Sequence, residues 1–332
     1  MSASRHTYDQ AQVEAYFDRI ALPSSERIHD VSSLSDQSKY DFLGLLQKHE
    51  LVKVPWENLT QHYSWHRVVN VKPPHLFSKI VKNEGRGGYC MEANHFFHTV
   101  LLSLGFDAYM AGARIHSPAT GSYGGWTHVV NIVAVGEQRY MLDGGFGANG
   151  PSKPLLLKHD QPEVQVNPAN MRVVYEALPQ HRDRSQRVWI YQHRINKESD
   201  WVTQYCFTDT EFLPADIENM NFSPWLNPQS FFTHKVVATR FTTSLETNSE
   251  ESKPRSPNEA ELKGEIDGAI INNHSYLKWR RHGTTVKYIE FQNEEDRVQA
   301  LERYFGIVIA QQDREAIMGT AAQIGTAGGA SG

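Results

Sequence analysis

One of the two cysteines stands in a setting that favours nucleophilic chemistry. Cys90 follows a glycine-rich loop, residues 85–89 (GRGGY), and opens a segment whose apolar residues recur at helical spacing. The free N–H groups and the dipole at the start of a helix stabilise a thiolate, and the positive charge of Arg86 adds to this effect. The glycines also let the backbone approach a substrate closely. We therefore predict that Cys90 is a reactive thiol, whereas Cys206, inside a strand-like run, is expected to be an ordinary buried cysteine.

A nucleophilic cysteine needs a base and a group that orients that base. The chain has 16 histidines, so position must select among them. His128 begins a strand-like run (THVVNIVAV), and Asp143 ends the next one (RYMLD). If Gly136-Glu137 is a two-residue turn, Asp143 opposes Val130 and is the diagonal neighbour of His128, about 7–8 Å away on the same face. Such a hairpin brings the two side chains within reach of each other. From this geometry alone, the alternative of a solvated histidine and a turn-forming aspartate stays open.

The elements that must position these residues fall into three regions, and the fold class expected is α+β. Apolar residues at helical spacing predict a helical domain over residues 1–106, which supplies the cysteine. Runs of β-branched and aromatic residues predict an antiparallel, β-barrel-like domain over 107–218, which supplies the histidine and the aspartate. Mixed patterns over 219–310 predict an α/β lid. The three side chains would then meet at the junction of the first two regions, a common place for a small-molecule site.

Individual elements can be predicted within these regions. Helices are expected around residues 13–20, 35–46, 76–81, 90–104 and 294–305, with Ser35 capping the second of them. Strands are expected at residues 127–135, 139–143, 171–177, 187–193, 201–208, 235–243 and 284–291.

Two segments have the composition of poorly ordered chain. Residues 246–267 are polar, acidic and contain proline, and they predict a surface insertion without regular structure. Residues 311–332 end in a run of small residues and predict a flexible C-terminal tail.

Composition excludes several classes of protein. The chain has 332 residues, of which 39% are hydrophobic, so a sizeable core is expected. No apolar run approaches the roughly 20 residues of a membrane helix, and the N-terminus does not resemble a secretory signal. A net charge of −5 argues against non-specific binding to nucleic acid. Two cysteines are too few for a disulfide framework or a cysteine-built zinc site. We expect a cytoplasmic protein, a monomer or a weak homodimer, with neither nucleic acid nor membrane as its partner.

Three sequence blocks and two spacings resemble one known family. Residues 86–94 (RGGYCMEAN) resemble the RGGxCxE/Q signature of the arylamine N-acetyltransferases. Residues 54–59 (VPWENL) resemble the VPFENL block of that family, and residues 143–147 (DGGFG) resemble its D-x-GFG block. The 38 residues from the cysteine to the histidine, and the 15 from the histidine to the aspartate, are also similar to the family's triad. The resemblance covers most of the chain, which looks like a fungal-type member.

The resemblance implies a reaction as well as a fold. Cys90 would be the nucleophile that accepts an acyl group, His128 its proton partner and Asp143 the residue that orients the imidazole, as in cysteine proteases. The implied mechanism is ping-pong, with acetyl-CoA as the expected acyl donor. The acceptor would be an arylamine, an arylhydrazine or an arylhydroxylamine. Neither a metal nor a tightly bound cofactor is implied.

Further positions match the family's binding and structural residues. Gly124, Gly125 and Thr127 match positions associated with CoA binding. Ile115 and Phe146 match positions near the acceptor pocket.

The resemblance also implies a structural ion pair. At some positions, however, this sequence differs from the family pattern. Arg86 and Glu57 are expected to pair and so to join two of the conserved blocks. Trp56 stands where phenylalanine is common, and Ala148 stands where some relatives carry arginine. Fungal-type members differ in using acetyl-CoA or malonyl-CoA. A malonyl carboxylate would need a nearby cation, and the sequence does not place one.

Other interpretations of the same residues have to be weighed. A thiol hydrolase or a transglutaminase-like enzyme uses the same Cys-His-Asp logic. A protein that binds CoA or an arylamine without catalysis would carry the three residues inertly. Residues 145–150 (GFGANG) match G-x-G-x-x-G, but prolines rather than a helix follow them, which argues against a dinucleotide site. Cys90, His95 and His98 have metal-like spacing, yet Cys90 lies off the helical face that the two histidines share.

Overall fold

The computed structural model describes residues 5–247 and 256–325. Its helices are α1 Gln10–Arg19, α2 Asp36–Lys53, α3 Pro73–Val81, α4 Cys90–Ser103, α5 Pro214–Leu226, α6 Glu259–Leu262, α7 Glu294–Phe305 and α8 Gln311–Arg314. Its strands are β1 Trp56–Glu57, β2 Asp107–Ser117, β3 Ser122–Tyr123, β4 His128–Val135, β5 Gln138–Leu142, β6 Leu155–Leu156, β7 Glu163–Val164, β8 Asn170–Glu176, β9 Val188–Arg194, β10 Val202–Phe212, β11 Val237–Thr243, β12 Ile266–Asn273, β13 Tyr276–Arg281 and β14 Thr284–Glu290. Within these described ranges, none of the helices has both the length and the apolar character needed to cross a bilayer.

The N-terminal helices α1 to α4 form as their apolar periodicity predicts. Ser35 caps α2 by accepting a hydrogen bond from the backbone N–H of Ser38 at 3.2 Å. Helix α3 begins at Pro73, three residues before the predicted start, because proline fits the first turn of a helix, where its missing N–H is not needed. Gly105, in the left-handed conformation with φ of 83°, follows the end of α4. The predicted helical architecture around the cysteine is therefore confirmed.

A nearly closed antiparallel sheet forms the centre of the molecule. Its strands follow the order β6-β5-β4-β2-β10-β9-β8-β7, and β3 pairs with β2. In the β4–β5 hairpin, Val135 pairs with Gln138 and Asn131 with Leu142. This is the predicted register, with Gly136 and Glu137 as the turn. The alternation of the strands buries apolar side chains inside the sheet, which confirms the α+β fold with a β-barrel-like centre.

The second sheet has five strands in the order β1-β11-β12-β13-β14, and helix α7 packs on one face of it. Strand β1 comes from the N-terminal region, where only helices were predicted. The sequence could not predict this strand because its two residues are too few to show a periodic pattern. The predicted boundary at 218 also falls inside helix α5, which runs from Pro214 to Leu226. The C-terminal region is therefore joined to the rest by a shared strand as well as by the chain.

Part of the segment 246–267 corrects the prediction of an unstructured insertion. Residues 248–255 of it lie outside the described residues. Glu259–Leu262 form α6, which Asn258 caps through its side chain, and Ile266 opens strand β12. A polar composition marks an exposed segment, but here local capping and strand pairing still give it regular structure.

The predicted flexible tail is also corrected over most of its described length. Residues 311–317 form α8 and a short 3₁₀ turn. Ile317 and Ala322 are fully buried against the C-terminal core. Residues 326–332 lie outside the described residues. A few apolar side chains are therefore enough to dock a segment whose overall composition suggests a linker.

Candidate active site

Cys90 is the first residue of α4 and is almost completely buried. The backbone N–H of Tyr89 donates to the Glu92 carboxylate at 3.3 Å, which satisfies one of the free donors at the helix start. The Cys90 sulfur lies 3.7 Å from the carbonyl oxygen of Thr127. A Cβ atom at Gly145 would lie 2.5 Å from the Cys90 Cα, so this glycine closes directly over the cysteine. The predicted position of the thiol at a helix N-terminus is confirmed.

The glycines before Cys90 serve a purpose in packing that was not predicted. A Cβ atom at Gly87 would lie 1.9 Å from the carbonyl oxygen of Pro55, and one at Gly88 would lie 2.5 Å from the Glu92 Cβ. Both glycines therefore permit close contact with the protein itself, and the approach of a substrate to this loop stays a prediction. The contact with Pro55 links the cysteine loop to the segment that leads into β1.

His128 and Asp143 meet at the open end of the β4–β5 hairpin. His128 is the first residue of β4, and its Nε2 lies 2.8 Å from Asp143 Oδ2. Both side chains are buried. The Cys90 sulfur lies 3.7 Å from the carbonyl oxygen of Thr127, the residue before His128, and Cys90 contributes to the raised pKa of the His128 ring. Because Asp143 occupies Nε2, the nitrogen that remains for the sulfur is Nδ1. The structure thus brings together the three residues selected from the sequence.

A fourth residue, Asn94, orders this cluster and was missed by the sequence interpretation. Its side-chain amide donates to Asp143 Oδ1 at 2.9 Å, and its side-chain oxygen accepts from the Gly144 backbone N–H at 2.9 Å. Asn94 is completely buried. The available signal was its spacing: a residue four positions after Cys90 lies on the same face of the helix.

Electrostatics favour an ion pair at this site. Burial acts to lower the pKa of His128, but the charge and hydrogen bond of Asp143, together with Cys90, outweigh burial and raise it to about 10. Burial likewise acts to raise the pKa of Asp143, and its interactions with His128, Asn94 and Gly145 hold it below the usual value. The histidine is therefore a cation and the aspartate an anion at neutral pH, so a thiolate at Cys90 would face a positive ring.

Comparisons with known proteins agree with this geometry. A family model described as N-acetyltransferase matches residues 40–250. The chain is 31% identical to the N-malonyltransferase FDB2 of Fusarium pseudograminearum, with 93% of this chain and 92% of that protein covered. It is 29% identical to arylamine N-acetyltransferase 2 of Rattus norvegicus, with 90% and 95% covered. The chain belongs to the arylamine N-acetyltransferase family. It is accordingly an acyl-transferring enzyme.

Solved structures of the arylamine N-acetyltransferase family share the fold. The enzyme of Nocardia farcinica superposes with a TM-score of 0.74 at 21% identity, covering 97% of this chain and 99% of that one. The enzyme of Mycobacterium marinum in complex with CoA superposes with a TM-score of 0.69 at 21% identity, covering 91% and 96%.

A buried charge network lies beneath the reactive loop of this acyltransferase. The ion pair expected between Arg86 and Glu57 is present, with Nε 3.0 Å from Oε1. Lys79 Nζ, from α3, lies 2.7 Å from Glu92 Oε1 and 3.6 Å from Glu57 Oε1. Sequence analysis missed Lys79, because a lysine in an amphipathic helix is normally a solvated residue.

The positions matched to CoA binding lie beside the reactive cluster. Gly124 and Gly125 form an exposed loop directly before β4, and a Cβ atom at Gly125 would meet nothing within 4 Å. Thr127 lies next to the reactive sulfur, through its carbonyl oxygen. Arg114 donates to the Gly124 carbonyl oxygen at 3.0 Å, which holds this loop against β2.

The positions matched to the acceptor pocket lie on the barrel side. The Phe146 ring centroid is 5.6 Å from that of His128 and 4.9 Å from that of Tyr205. Ile115 pairs with Tyr205 across β2 and β10 and belongs to the same apolar cluster as Phe146. A cavity of about 500 Å³ opens beside Phe146, with Trp56 as another aromatic wall.

Neither of the other motifs noted in the sequence forms a site. Residues 145–150 lead toward β6 rather than into a helix. His95 and His98 lie buried in α4, and in the part of the chain that the structure describes, no three His, Cys, Asp or Glu side chains are grouped as metal ligands. Cys206 has the inert character expected of it, because burial raises the pKa of its thiol to about 12.

Proposed function

We propose that this enzyme transfers an acyl group from acyl-CoA to an arylamine, arylhydrazine or arylhydroxylamine through a thioester on Cys90. The observation that carries the proposal is the buried His128 ring, which Asp143 holds at 2.8 Å, next to a Cys90 sulfur that lies 3.7 Å from the carbonyl oxygen of the adjoining residue Thr127. This arrangement can hold a thiolate and a proton together until a thioester arrives.

The first half-reaction loads the enzyme. The Cys90 thiolate attacks the carbonyl carbon of the acyl-CoA thioester, so that a new C–S bond forms and the C–S bond to CoA breaks. The CoA thiolate leaves with the proton that His128 had held. CoA then departs before the acceptor binds, as a ping-pong mechanism requires.

The second half-reaction unloads it. The nitrogen of the acceptor attacks the carbonyl carbon of the Cys90 thioester, and the C–S bond to the enzyme breaks. His128 accepts one proton from that nitrogen, which restores the imidazolium and the thiolate. Asp143 keeps the ring oriented and stabilises its charge throughout. With an arylhydroxylamine, the oxygen can take the place of the nitrogen.

Binding roles are proposed for the remaining matched positions. The open loop at Gly124 and Gly125, with Thr127 beside the sulfur, would admit the pantetheine arm of the donor. Phe146 and Ile115 would bound the pocket of the aromatic acceptor, since Phe146 lies directly against the His128 ring.

The direct test is to mix the protein with acetyl-CoA and weigh it. We expect the mass of one acetyl group to be added to the wild type, to map to Cys90 and to disappear when an arylamine is supplied. Cys90→Ser should gain no thioester and show no turnover. Cys206→Ser is the matched control and should behave as the wild type. Absence of an adduct with acetyl-CoA and with malonyl-CoA alike would refute the thioester mechanism, and release of free acetate without an acceptor would favour a thiol hydrolase.

Malonyl-CoA is the second candidate donor. The FDB2 relative, named an N-malonyltransferase, matches over 93% of this chain at 31% identity. Rates with acetyl-, propionyl- and malonyl-CoA and a single arylamine decide between the donors. A chain that reacts with none of the three would contradict the acyltransferase proposal.

A cellular location and an oligomeric state are proposed together with the reaction. Both cysteines are free thiols, and a reducing compartment keeps them so, which favours the cytoplasm. We propose a monomer or a weak homodimer with small molecules as its only partners. CoA thioesters then act as substrates rather than as tightly bound cofactors.

A further inference from the structure

Two neighbouring cavities share two basic residues. The cavity of about 500 Å³ beside Phe146 and a second one of about 220 Å³ are both lined by Lys278 and Arg280. Ala148 also lines both, so the two cavities meet along one edge. None of the residues that line either cavity is an aspartate or a glutamate. In a chain with 38 acidic and 33 basic residues, this is a selectively positive space.

Strand alternation fixes the direction of these side chains. Lys278 and Arg280 lie on one face of β13, whereas the alternating residues Leu277 and Trp279 pack into the core with α7. Lys278 pairs with Ile271 of β12, which lines the same cavity. The two cations therefore face the space between the C-terminal sheet and the barrel.

No carboxylate of the described residues pairs with either charge. Lys278 and Arg280 form no ion pair with any residue of the ranges 5–247 and 256–325, although both are half-buried. The next residue, Arg281, shows the contrast, because its Nε lies 2.6 Å from Asp267 Oδ2. Half-buried cations without a partner suit an anion that arrives from outside.

A continuous stretch of chain connects this space to the reactive cysteine. Gly145 touches Cys90, Phe146 lies against His128, and Ala148 lines both cavities. Three residues of extended chain span at most about 11 Å, so the cavities begin within that distance of the glycine over the sulfur. The larger cavity therefore begins near the cluster of Cys90 and His128, and the two cations line it.

We propose that Lys278 and Arg280 bind an anionic group on a substrate whose reacting end lies at Cys90. This inference rests on the proposed function and names the chemistry of the ligand, a carboxylate or a phosphate. Its two sources are an acidic substituent on the aromatic acceptor and the phosphates of CoA.

This pair suits a group carried farther from the reacting carbon better than it suits a malonyl carboxylate. Trp56 forms a backbone bridge with Gly88, two residues before the cysteine, and lies three strands from Lys278 in the sheet. Three interstrand steps of about 4.8 Å amount to about 14 Å. The carboxylate of a malonyl group on the sulfur lies one methylene from the thioester carbonyl. The cations therefore suit a group carried farther from the reacting carbon.

The test uses paired substrates and charge-matched variants of the full chain. Lys278→Met/Arg280→Met removes both cations, and Lys278→Gln/Arg280→Gln is the second version, which keeps polar side chains. Lys158→Met/Arg182→Met removes the same charge from exposed positions and is the control.

Ping-pong kinetics allow the two half-reactions to be followed separately. Donors are acetyl-CoA and S-acetylpantetheine, which lacks phosphate, and acceptors are 4-aminobenzoate and uncharged 4-methylaniline.

Two results would support the proposal and identify the source. Slower deacylation by 4-aminobenzoate, with that by 4-methylaniline unchanged, assigns an acceptor carboxylate. Slower acylation by acetyl-CoA, with that by S-acetylpantetheine unchanged, assigns a CoA phosphate. Loss of a charge-assisted contact of about 1.5–3 kcal/mol corresponds to a fall in kcat/KM of about tenfold or more.

Equal behaviour of the cation-free and control variants toward all four substrates would overturn the proposal. Equal slowing of charged and uncharged substrates in both cation-free versions would overturn it as well, because no anion would then be recognised. Wild-type transfer from S-acetylpantetheine to 4-methylaniline tests the proposed function without any anion, so its failure is distinct from failure of this inference.

Discussion

The reactivity proposed for Cys90 depends on a proton that His128 holds. Although burial lowers the pKa of His128, the Asp143 carboxylate and Cys90 raise it from 6.5 to about 10. A raised pKa means that the protonated ring is present below that pH and is lost as the pH rises through it. An unperturbed histidine would be neutral over most of this interval, so the aspartate is what keeps a cation beside the sulfur at neutral pH.

Asp143→Asn should therefore remove both the cation and most of the activity. We expect acyl transfer to fall by about 10²–10⁴-fold, since the imidazole loses its charge and its fixed orientation. In the wild type the His128 ring keeps its proton up to a pH of about 10, so the rate of acyl transfer should fall only as the pH approaches that value. In the variant this fall should begin at lower pH. Asp41→Asn, at an exposed site in α2, is the control, and a wild-type pH profile in Asp143→Asn would contradict this account.

Three of the four residues at this site, Cys90, His128 and Asp143, could be selected from the sequence. Each lies in a local pattern, either the start of an apolar helix or the two ends of a hairpin. The turn at Gly136 has two residues, and this even length sets the strand register of the β4–β5 hairpin. In that register the side chains of His128 and Asp143 lie on the same face of the sheet. Asn94 carries no comparable mark, since a polar residue in a helix is usually solvated. Its role depends on how α4 packs against the hairpin, which no local pattern specifies.

The reactive loop is held between elements by buried charge. Lys79 of α3 bridges Glu92 of α4 and Glu57 of β1, and Arg86 completes the set from the loop itself. Although burial alone would raise the pKa of Glu57, Arg86 and Lys79 lower it to about 2. The network thus fixes the start of α4, and with it the cysteine.

Lys79→Met should destabilise the protein by about 3–5 kcal/mol, because it leaves a buried carboxylate without its cation. Urea unfolding measures this loss. Lys79→Met/Glu92→Gln removes the stranded charge and should recover much of the stability. If Lys79→Met unfolds within about 1 kcal/mol of the wild type, the network does not hold the loop in the way described.

Two glycines in neighbouring loops should respond in opposite ways to alanine. At Gly87 the added Cβ would meet the Pro55 carbonyl oxygen at 1.9 Å, so the loop must move, and both stability and alkylation of Cys90 should fall. At Gly125 the Cβ would meet nothing within 4 Å, and the free energy of unfolding should stay within about 1 kcal/mol of the wild type. Thermal unfolding of both variants checks this, and a Gly87→Ala protein as stable as Gly125→Ala would contradict it.

Elements were predictable where they are long and periodic. The predicted helix 294–305 coincides with α7, and the barrel strands β4, β5, β8 and β9 lie within about one residue of their predicted bounds. The long barrel strand β2, Asp107–Ser117, was not predicted. Strand β1 could not be found, because two residues show no period and its partner β11 lies about 180 residues away in the chain. Helix α5 was missed because its apolar residues, such as Phe222 and Leu226, include exposed ones that obscure a single buried face.

At the scale of the whole molecule, the reactive site lies where separate cores meet. The N-terminal helices, the barrel and the C-terminal sheet each have a core of their own. A further cluster around Cys90 combines Met110 and Val129 from the barrel with Ile217 from α5 and Val237 from the C-terminal sheet. This agrees with a site at the junction of regions, where the proposed substrate would lie between the barrel and the C-terminal sheet.

The C-terminal segment contributes to one of these cores through a buried arginine. Arg297 of α7 is completely buried, and its guanidinium donates to Glu294 and, at 2.9 Å, to the carbonyl oxygen of Ala322. Ile317 is buried beside it in the same core. Residues 311–325 therefore cover a charge that would otherwise lose part of its hydrogen bonding.

A chain ended after residue 310 should be less stable than the full chain by about 3–5 kcal/mol. About 1.5–3 kcal/mol follows from losing a buried isoleucine, and a similar amount from removing a hydrogen bond to a charged group. A chain ended after residue 325 keeps Ile317 and Ala322 and is the matched control. Urea unfolding of the two shortened chains tests this prediction. If the docked segment stabilises the core, the chain ended after residue 310 should unfold at a lower urea concentration than the chain ended after residue 325. Equal midpoints would mean that the segment lies on the core without stabilising it.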